Sequence, residues 1–248
     1  MNYRATEKAS PDVLFQSGMP SLAMTRLDEI YERLHDVDNV DRAVEAISIM
    51  ETEATEDWLP TLHEWLARLD DFFLREAIAP AVIRLEGISC LPRLLHAMHL
   101  GRREGHDCDS LQACIIELIE SAPLDARTRL LDLAESAADE DRDNAAWLLG
   151  FVHQHITPKV LIRLASDKSP DVRQSACGSL ASFKGDDRVF DALSRCLADS
   201  DEQVRLSAVS SLGYLGDRRA LPLLLPLQRS ASHRLQHILP FAIEQLQK

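Results

Sequence analysis

Four side chains with metal-ligating chemistry fall within thirteen residues: His96, His99, His106 and Cys108. His96 and His99 are three apart, which places both on one helix face, and His106 and Cys108 follow on the next connection. Imidazole nitrogens and a thiolate are zinc donors, and four of them would close a tetrahedral structural site. The spacing matches no metal-binding signature, however, and the competing reading is three surface histidines beside a loop cysteine. No metal and no cofactor are therefore expected. Nucleophilic catalysis has even less support. There is no Gly-x-Ser-x-Gly elbow, no glycine-rich phosphate loop and no His-Glu-x-x-His. A non-catalytic protein is expected.

Charge is the more informative chemistry. Across 248 residues, 40 acids oppose 27 Lys and Arg, for a formal charge of −13. Phosphate affinity comes mainly from basic side chains, so this balance argues against a general nucleic-acid binder. The acidity is uneven. Residues 1–124 carry a net −12 and residues 125–248 a net −1. Apolar residues make up 46 %, too many for a disordered chain. No apolar run approaches the ~18 residues of a spanning helix. The first twenty residues, MNYRATEKASPDVLFQSGMP, lack an export signal and read as a flexible segment preceding one folded unit over 21–248. The five cysteines are odd in number and four of them lie inside helical patterns. A reduced, cytoplasmic protein is the simpler reading.

The elements that must position any site are helices. Apolar residues recur at helical spacing after residue 20, as in Leu59, Leu62, Trp65, Leu66 and Leu69, and no segment alternates with period two. Start and stop signals divide the pattern into fourteen helices in seven pairs: 21–36 with 40–53, 56–69 with 72–86, 88–100 with 109–120, 124–137 with 141–153, 156–166 with 170–183, 187–198 with 202–215, and 218–229 with 232–247. Thr157-Pro158 and Ser169-Pro170 read as an N-cap followed by proline at the first helical position. Gly150, Gly185 and Gly216 stand near helix ends, where a left-handed residue is wanted. Residues 101–108 read as the one longer loop.

The pairs repeat. Asp199, Val204, Arg205, Ala208 and Leu212 recur 32 residues earlier as Asp167, Val172, Arg173, Ala176 and Leu180. A further step back lie Arg142, Ala145 and Leu149, and the pattern fits again at Leu74-Arg75 with Ile78 and Val82, and at Asp36, Asp38, Arg42 and Ile49. Gln112 stands where the third unit should have Arg, and Arg234 with Phe241 makes a weak last copy. This pattern, D-x-[DSP]-x-x-[VL]-R-x-x-A-x-x-x-L-G, resembles HEAT repeats, and among them the short bacterial kind called PBS-lyase-like. The resemblance implies an all-α superhelix with second helices lining a concave face. Stacked pairs bury in common what one pair cannot bury alone. Asp36/Arg42, Asp70/Arg75, Asp167/Arg173 and Asp199/Arg205 are expected to pair as a structural ladder.

The face of each second helix opposite its core stripe then predicts a groove. It contains Ala43, Ala46, Ile47 and Met50 in the first unit and Glu76, Ala79, Pro80 and Ile83 in the second. The third gives Ala113, Ile116, Glu117 and Glu120, the fourth Asp143, Ala146, Trp147 and Gly150, and the fifth Gln174, Cys177, Gly178 and Ala181. Acids in the groove and one Trp suit a protein partner that is basic, through electrostatic steering and a desolvated aromatic anchor. Trp147 is either that exposed anchor or a wedge between successive helices. A bacterial toxin-immunity protein or secretion adaptor fits this reading. The resemblance also reaches phycobilin lyase subunits, so chromophore attachment or an enzyme-accessory role is the alternative. The DNA glycosylases built on similar repeats need a basic groove, which is not predicted. Neither nucleic acid nor membrane is an expected partner.

Overall fold

A computed structural model describes residues 22–36, 38–229 and 232–247. The segment 1–20 lies outside them. All regular structure among the described residues is helical. The pairs are α1 (Leu22–Leu34) with α2 (Val40–Glu53), α3 (Leu59–Leu66) with α4 (Phe72–Glu86), α5 (Leu91–Arg103) with α6 (Asp109–Ser121), α7 (Pro123–Leu133) with α8 (Asp139–Leu148), α9 (Lys159–Leu164) with α10 (Pro170–Leu180), α11 (Asp187–Cys196) with α12 (Glu202–Leu215), and α13 (Leu221–Leu224) with α14 (His233–Gln247). Partners in a pair pack on one another, and second helices stack in series: α2 on α4, α4 on α6, α8 on α10, α10 on α12, α12 on α14. Only α6 and α8 lack comparably close packing. The core runs continuously from Leu27 to Leu246. The architecture is the expected α-solenoid.

Local chemistry explains the boundaries. Asp71 caps α4 by accepting from the Leu74 N–H at 3.3 Å, and Asp201 caps α12 from the N–H groups of Gln203 and Val204 at 2.8 and 3.2 Å. Several first helices are shorter than the periodicity suggests, because their ends tighten into 3₁₀ turns, as at Glu56–Trp58 and Gly87–Cys90. The 101–108 loop is corrected: α5 continues to Arg103, leaving a short turn. Pro170 sits at the first position of α10, but Ser169 makes no side-chain cap bond there, and Pro158 itself is the cap residue of α9. Gly185 and Gly216 take φ of 80° and 75° as expected, whereas Gly150 does not. Gly150 is small for another reason: a Cβ there would stand 2.8 Å from Ser179 Oγ on α10.

The Asp–Arg ladder forms with different partners. Arg173 reaches forward, donating from Nε and Nη2 to both oxygens of Asp199 at 2.7 and 2.8 Å. Its Nη1 donates to the main-chain carbonyls of Asp167 and Lys168, in its own turn, at 2.9 and 3.2 Å. Arg142 repeats this arrangement with Asp167 at 2.7 and 2.9 Å and with the carbonyls of Ser136 and Ala137. Each acid also accepts an N–H two residues on, Asp167 from Ser169 and Asp199 from Asp201, both at 2.9 Å. Asp167 and Asp199 thus serve the preceding arginine, and Arg205 takes only the carbonyls of Asp199 and Ser200 in that turn. Arg75, 1 % exposed, pairs with Glu104 rather than Asp70. Asp70 instead donates its N–H to Glu104 at 2.9 Å. Arg42 pairs with Asp36 as expected, but on the surface of a single turn.

At the junction of the third and fourth pairs the rung is missing altogether. Gln112 donates to the Asp107 carbonyl at 2.8 Å, which reproduces the arginine's bond to its own turn. It has no second arm. The acid position facing it is Ser136, whose hydroxyl bonds Asp141 at 2.6 Å. Both halves of the rung are therefore absent at the junction of the third and fourth pairs, where α6 and α8 fail to pack closely.

Two outcomes follow. Arg75→Met should lower the unfolding free energy by about 3 kcal/mol or more, because Glu104 keeps its charge and loses its partner. Urea denaturation measures this, and a loss under about 1 kcal/mol would make the rung dispensable. Glu104, Asp167 and Asp199 are each held below the usual carboxylate range, chiefly by the arginine hydrogen bond. A depressed carboxylate stabilises the fold above its unfolded pKa and loses that contribution as pH falls through the folded value. Stability should therefore fall below about pH 4. The triple variant Glu104→Gln, Asp167→Asn, Asp199→Asn should show a shallower fall, and an unchanged slope would assign the acid sensitivity elsewhere.

Candidate interaction surface

The exposed side of the second helices is where the expected groove residues can be placed. In pairs two to five the helical reading holds in part: Ala79, Ala146 and Cys177, expected in the groove, are fully buried, because that side of each second helix packs on its neighbour. Leu74, Leu111, Ala145 and Val172 face the core, while Glu117, Glu120 and Gln174 are exposed and Glu76, Asp143 and Trp147 are half-buried. In the first pair it fails. Ala43, Ala46 and Met50 are buried and Ile47 is half-buried against the core, so these are not groove residues. Arg42 matches the repeat by type but not by register: the face it was taken to define is rotated, and Val44 at 60 % exposure turns outward instead.

The acids gather around Cys114 on α6. Burial pushes this thiol up, and the carboxylates of Glu117, Glu76 and Glu51 push it further. Glu51, on α2, was missed because the register of that helix was misread. One Glu76 oxygen is enclosed and has no hydrogen-bond partner. Among the described residues Glu51, Glu76, Glu117 and Glu120 take part in no ion pair, whereas Glu29, Glu53, Glu86 and Glu104 all do.

Glu120 and Trp147 share a groove of about 490 Å³ with Phe151, Gln174, Gly178 and Ser207. Trp147 combines both readings of its role. Part of the indole packs on the core, and the remainder lines this groove. The Phe151 ring meets it edge-on at 6.0 Å, and the Arg102 guanidinium stands 5.9 Å from its centroid. Phe151 lies beyond the end of α8, where helical spacing no longer identifies a face. A second aromatic pair, Tyr214 with Phe241, is exposed further along. Asp143 lies apart from Glu120, in a neighbouring cavity. It accepts from Ser175 Oγ at 2.6 Å, and burial raises its pKa against that hydrogen bond.

The histidine and cysteine cluster does not converge. His96 is exposed, and His99 pairs with Glu140. His106 stacks on Phe72 at 4.1 Å, and the buried Cys108 donates to the Met98 carbonyl. Among the described residues no group of three or more His, Cys, Asp or Glu is placed to hold a metal ion. No helix among them is long and apolar enough to cross a membrane.

The comparisons with known proteins bear on the scaffold. A model of HEAT repeats matches residues 127–213 and, overlapping them, 157–238. Three solved structures illustrate the similarity. The Escherichia coli protein YibA is 17 % identical with a TM-score of 0.43, covering 94 % of this chain and 100 % of that one. A designed armadillo repeat protein in complex with the peptide (KR)4 is 17 % identical at 0.45, covering 89 % and 99 %. The CpcE and CpcF complex of phycocyanin lyase from Nostoc sp. PCC7120 is 14 % identical at 0.39, covering 96 % and 100 %. No curated protein matches the chain.

Trp58 and Trp65 are each 6 % exposed, so Trp147 should supply the collisionally accessible emission. Trp147→Phe should remove most of the acrylamide-quenchable fluorescence. Quenching that persists undiminished would place the accessible indole elsewhere.

Proposed function

We propose that this chain, which a model of HEAT repeats matches over residues 127–213 and 157–238, is a non-catalytic scaffold that binds a basic protein partner along the concave face of its second helices. The observation that carries the reading is the set of unpaired groove carboxylates, Glu51, Glu76, Glu117 and Glu120, in a molecule whose other acids are so often matched to arginine. Like charges held together without counter-charges cost stability, and a cationic partner relieves that cost. Trp147 and Phe151 line one groove with Glu120 and offer the apolar contact that electrostatics alone does not provide. The acidic first half raises the association rate with such a partner. An immunity protein that masks a basic toxin, or an adaptor for a basic secreted protein, has these requirements. Glu76, Glu117, Glu120, Asp143 and Trp147 are the proposed contact residues.

Fluorescently labelled octa-lysine tests the electrostatic part. Its affinity should fall by about tenfold or more between 50 and 300 mM salt, as screening shortens the reach of surface charge. Glu76→Lys, Glu117→Lys and Glu120→Lys combined should abolish binding while leaving the melting temperature within a few degrees. Affinity that ignores salt, or survives the triple reversal, would overturn the reading.

A further inference from the structure

A cavity of about 330 Å³ lies where α5 meets α8 and α10. That is at the lower end of the range for small-ligand clefts, about 300–1,000 Å³. It suits a single side chain better than a cofactor. Its walls come from three pairs: Arg102 near the end of α5, Asp139, Glu140, Asp143 and Asn144 on the first turns of α8, and Ser169 with Asp171 at the start of α10. Four carboxylates thus face one arginine. His99, also in the wall, is already engaged with Glu140.

An acidic cluster alone is not a site, because water satisfies it. Two further side chains make this one different. Asn144 is 5 % exposed and Ser169 is 8 % exposed. Neither the Asn144 amide nor the Ser169 hydroxyl has a hydrogen-bond partner among the described residues, and both line the cavity. Their polar atoms are not fully enclosed, unlike Glu76 Oε1 and Glu86 Oε2, so the cavity they line is where they are reached. Their amide and hydroxyl leave acceptors and donors free toward the cavity.

The chemistry of that partner follows from the neighbouring junctions. At this same edge of the solenoid, Arg142 and Arg173 each place a guanidinium against the next pair's carboxylate. At the third junction Gln112 stands in place of the arginine, and Asp139, Asp143 and Asp171 in the cavity wall take part in no ion pair among the described residues. Arg102 does not replace it. Its side chain is exposed, lies over Trp147, and makes no ion pair among the described residues.

We propose that this cavity receives the guanidinium of an arginine side chain from the basic partner. Asp143 supplies the carboxylate, and Asn144 Oδ1 and Ser169 Oγ supply neutral acceptors for the remaining N–H groups. A guanidinium offers five N–H donors in a planar fork, whereas an ammonium has three and no plane, so the site prefers arginine to lysine. Arg102, a like charge at the mouth, limits the affinity. The inference rests on the groove reading above and adds a specificity pocket to it.

The test compares labelled octa-arginine with octa-lysine on the full chain, with agmatine as the isolated alkylguanidinium. Wild-type protein should bind octa-arginine about tenfold more tightly than octa-lysine, the difference expected of one added charge-assisted hydrogen-bond set. Agmatine should bind saturably, which separates a pocket from diffuse attraction. Asp143→Asn keeps the side-chain shape and should abolish both the arginine preference and agmatine binding. Asn144→Leu should do the same by a different route, and Arg102→Ala should strengthen agmatine binding several-fold. Circular dichroism and melting temperatures establish that each variant is folded. If octa-arginine and octa-lysine bind equally, and both are lost with the groove charge reversals, the pocket is wrong and the groove reading stands. If neither peptide binds, both fall. Agmatine binding unchanged by Asp143→Asn and Asn144→Leu would overturn the pocket alone.

Discussion

The structure depends on guanidinium groups, those of Arg142 and Arg173, that each belong to two repeats at once. Nη1 of Arg142 and of Arg173 takes the last carbonyls of its own turn, while Nε and Nη2 take the carboxylate that opens the next. A planar group bonded on two edges sets both the spacing and the tilt between successive pairs. An ammonium has no plane and cannot transmit that orientation, so lysine could not replace Arg142 or Arg173 in this role. Once the turns are set, the second helices approach closely enough to need small residues between them. Ala79, Ala146 and Cys177 are all fully buried in that seam.

The exception is informative because it is made on both sides. Gln112 retains the bond to its own turn and lacks the forward arm, and Ser136 stands where the acceptor would be. Nothing then draws α8 onto α6. The third pair's first helix fills the opening instead, bringing His99 and Arg102 against residues of α8. A solenoid built from near-neighbour contacts tolerates such a break, since each interface contributes separately to stability. The gap concentrates unmatched polar groups at mid-chain, next to the half-buried Trp147.

The net charge of −13 divides accordingly. Glu104, Asp167 and Asp199 are structural, with their pKa values held down by arginine. Asp143 is the opposite case: burial raises its pKa, and its one hydrogen bond comes from a serine. Acids with opposite electrostatic surroundings look alike in a composition count. The first kind stabilises the repeat, and the second kind carries the proposed contact with a partner.

The periodic residues established the architecture unaided. Apolar spacing, Asp caps and a recurring Arg define helix pairs because each repeat must solve the same turn with the same residue types. The limits of α2, α4 and α12 follow directly from that reading. The faces of α4, α6, α8 and α10 follow in part: Glu117, Glu120 and Gln174 are exposed, while Ala79, Ala146 and Cys177 are buried between neighbouring second helices. Register in α2 did not, since Arg42 satisfies the pattern by identity while its helix is rotated. Partner choice did not either. Whether Arg173 pairs with Asp167 or Asp199 depends on the distance between turns 32 residues apart in sequence, and Glu104 could replace an aspartate only through the path of its own turn. The unbonded Asn144 and Ser169, and the cavity they share, arise from three pairs meeting where α5 reaches α8 and α10. Helix formation is local and repeats along the chain. Which polar groups end up paired is decided through space, where burial and distance act together.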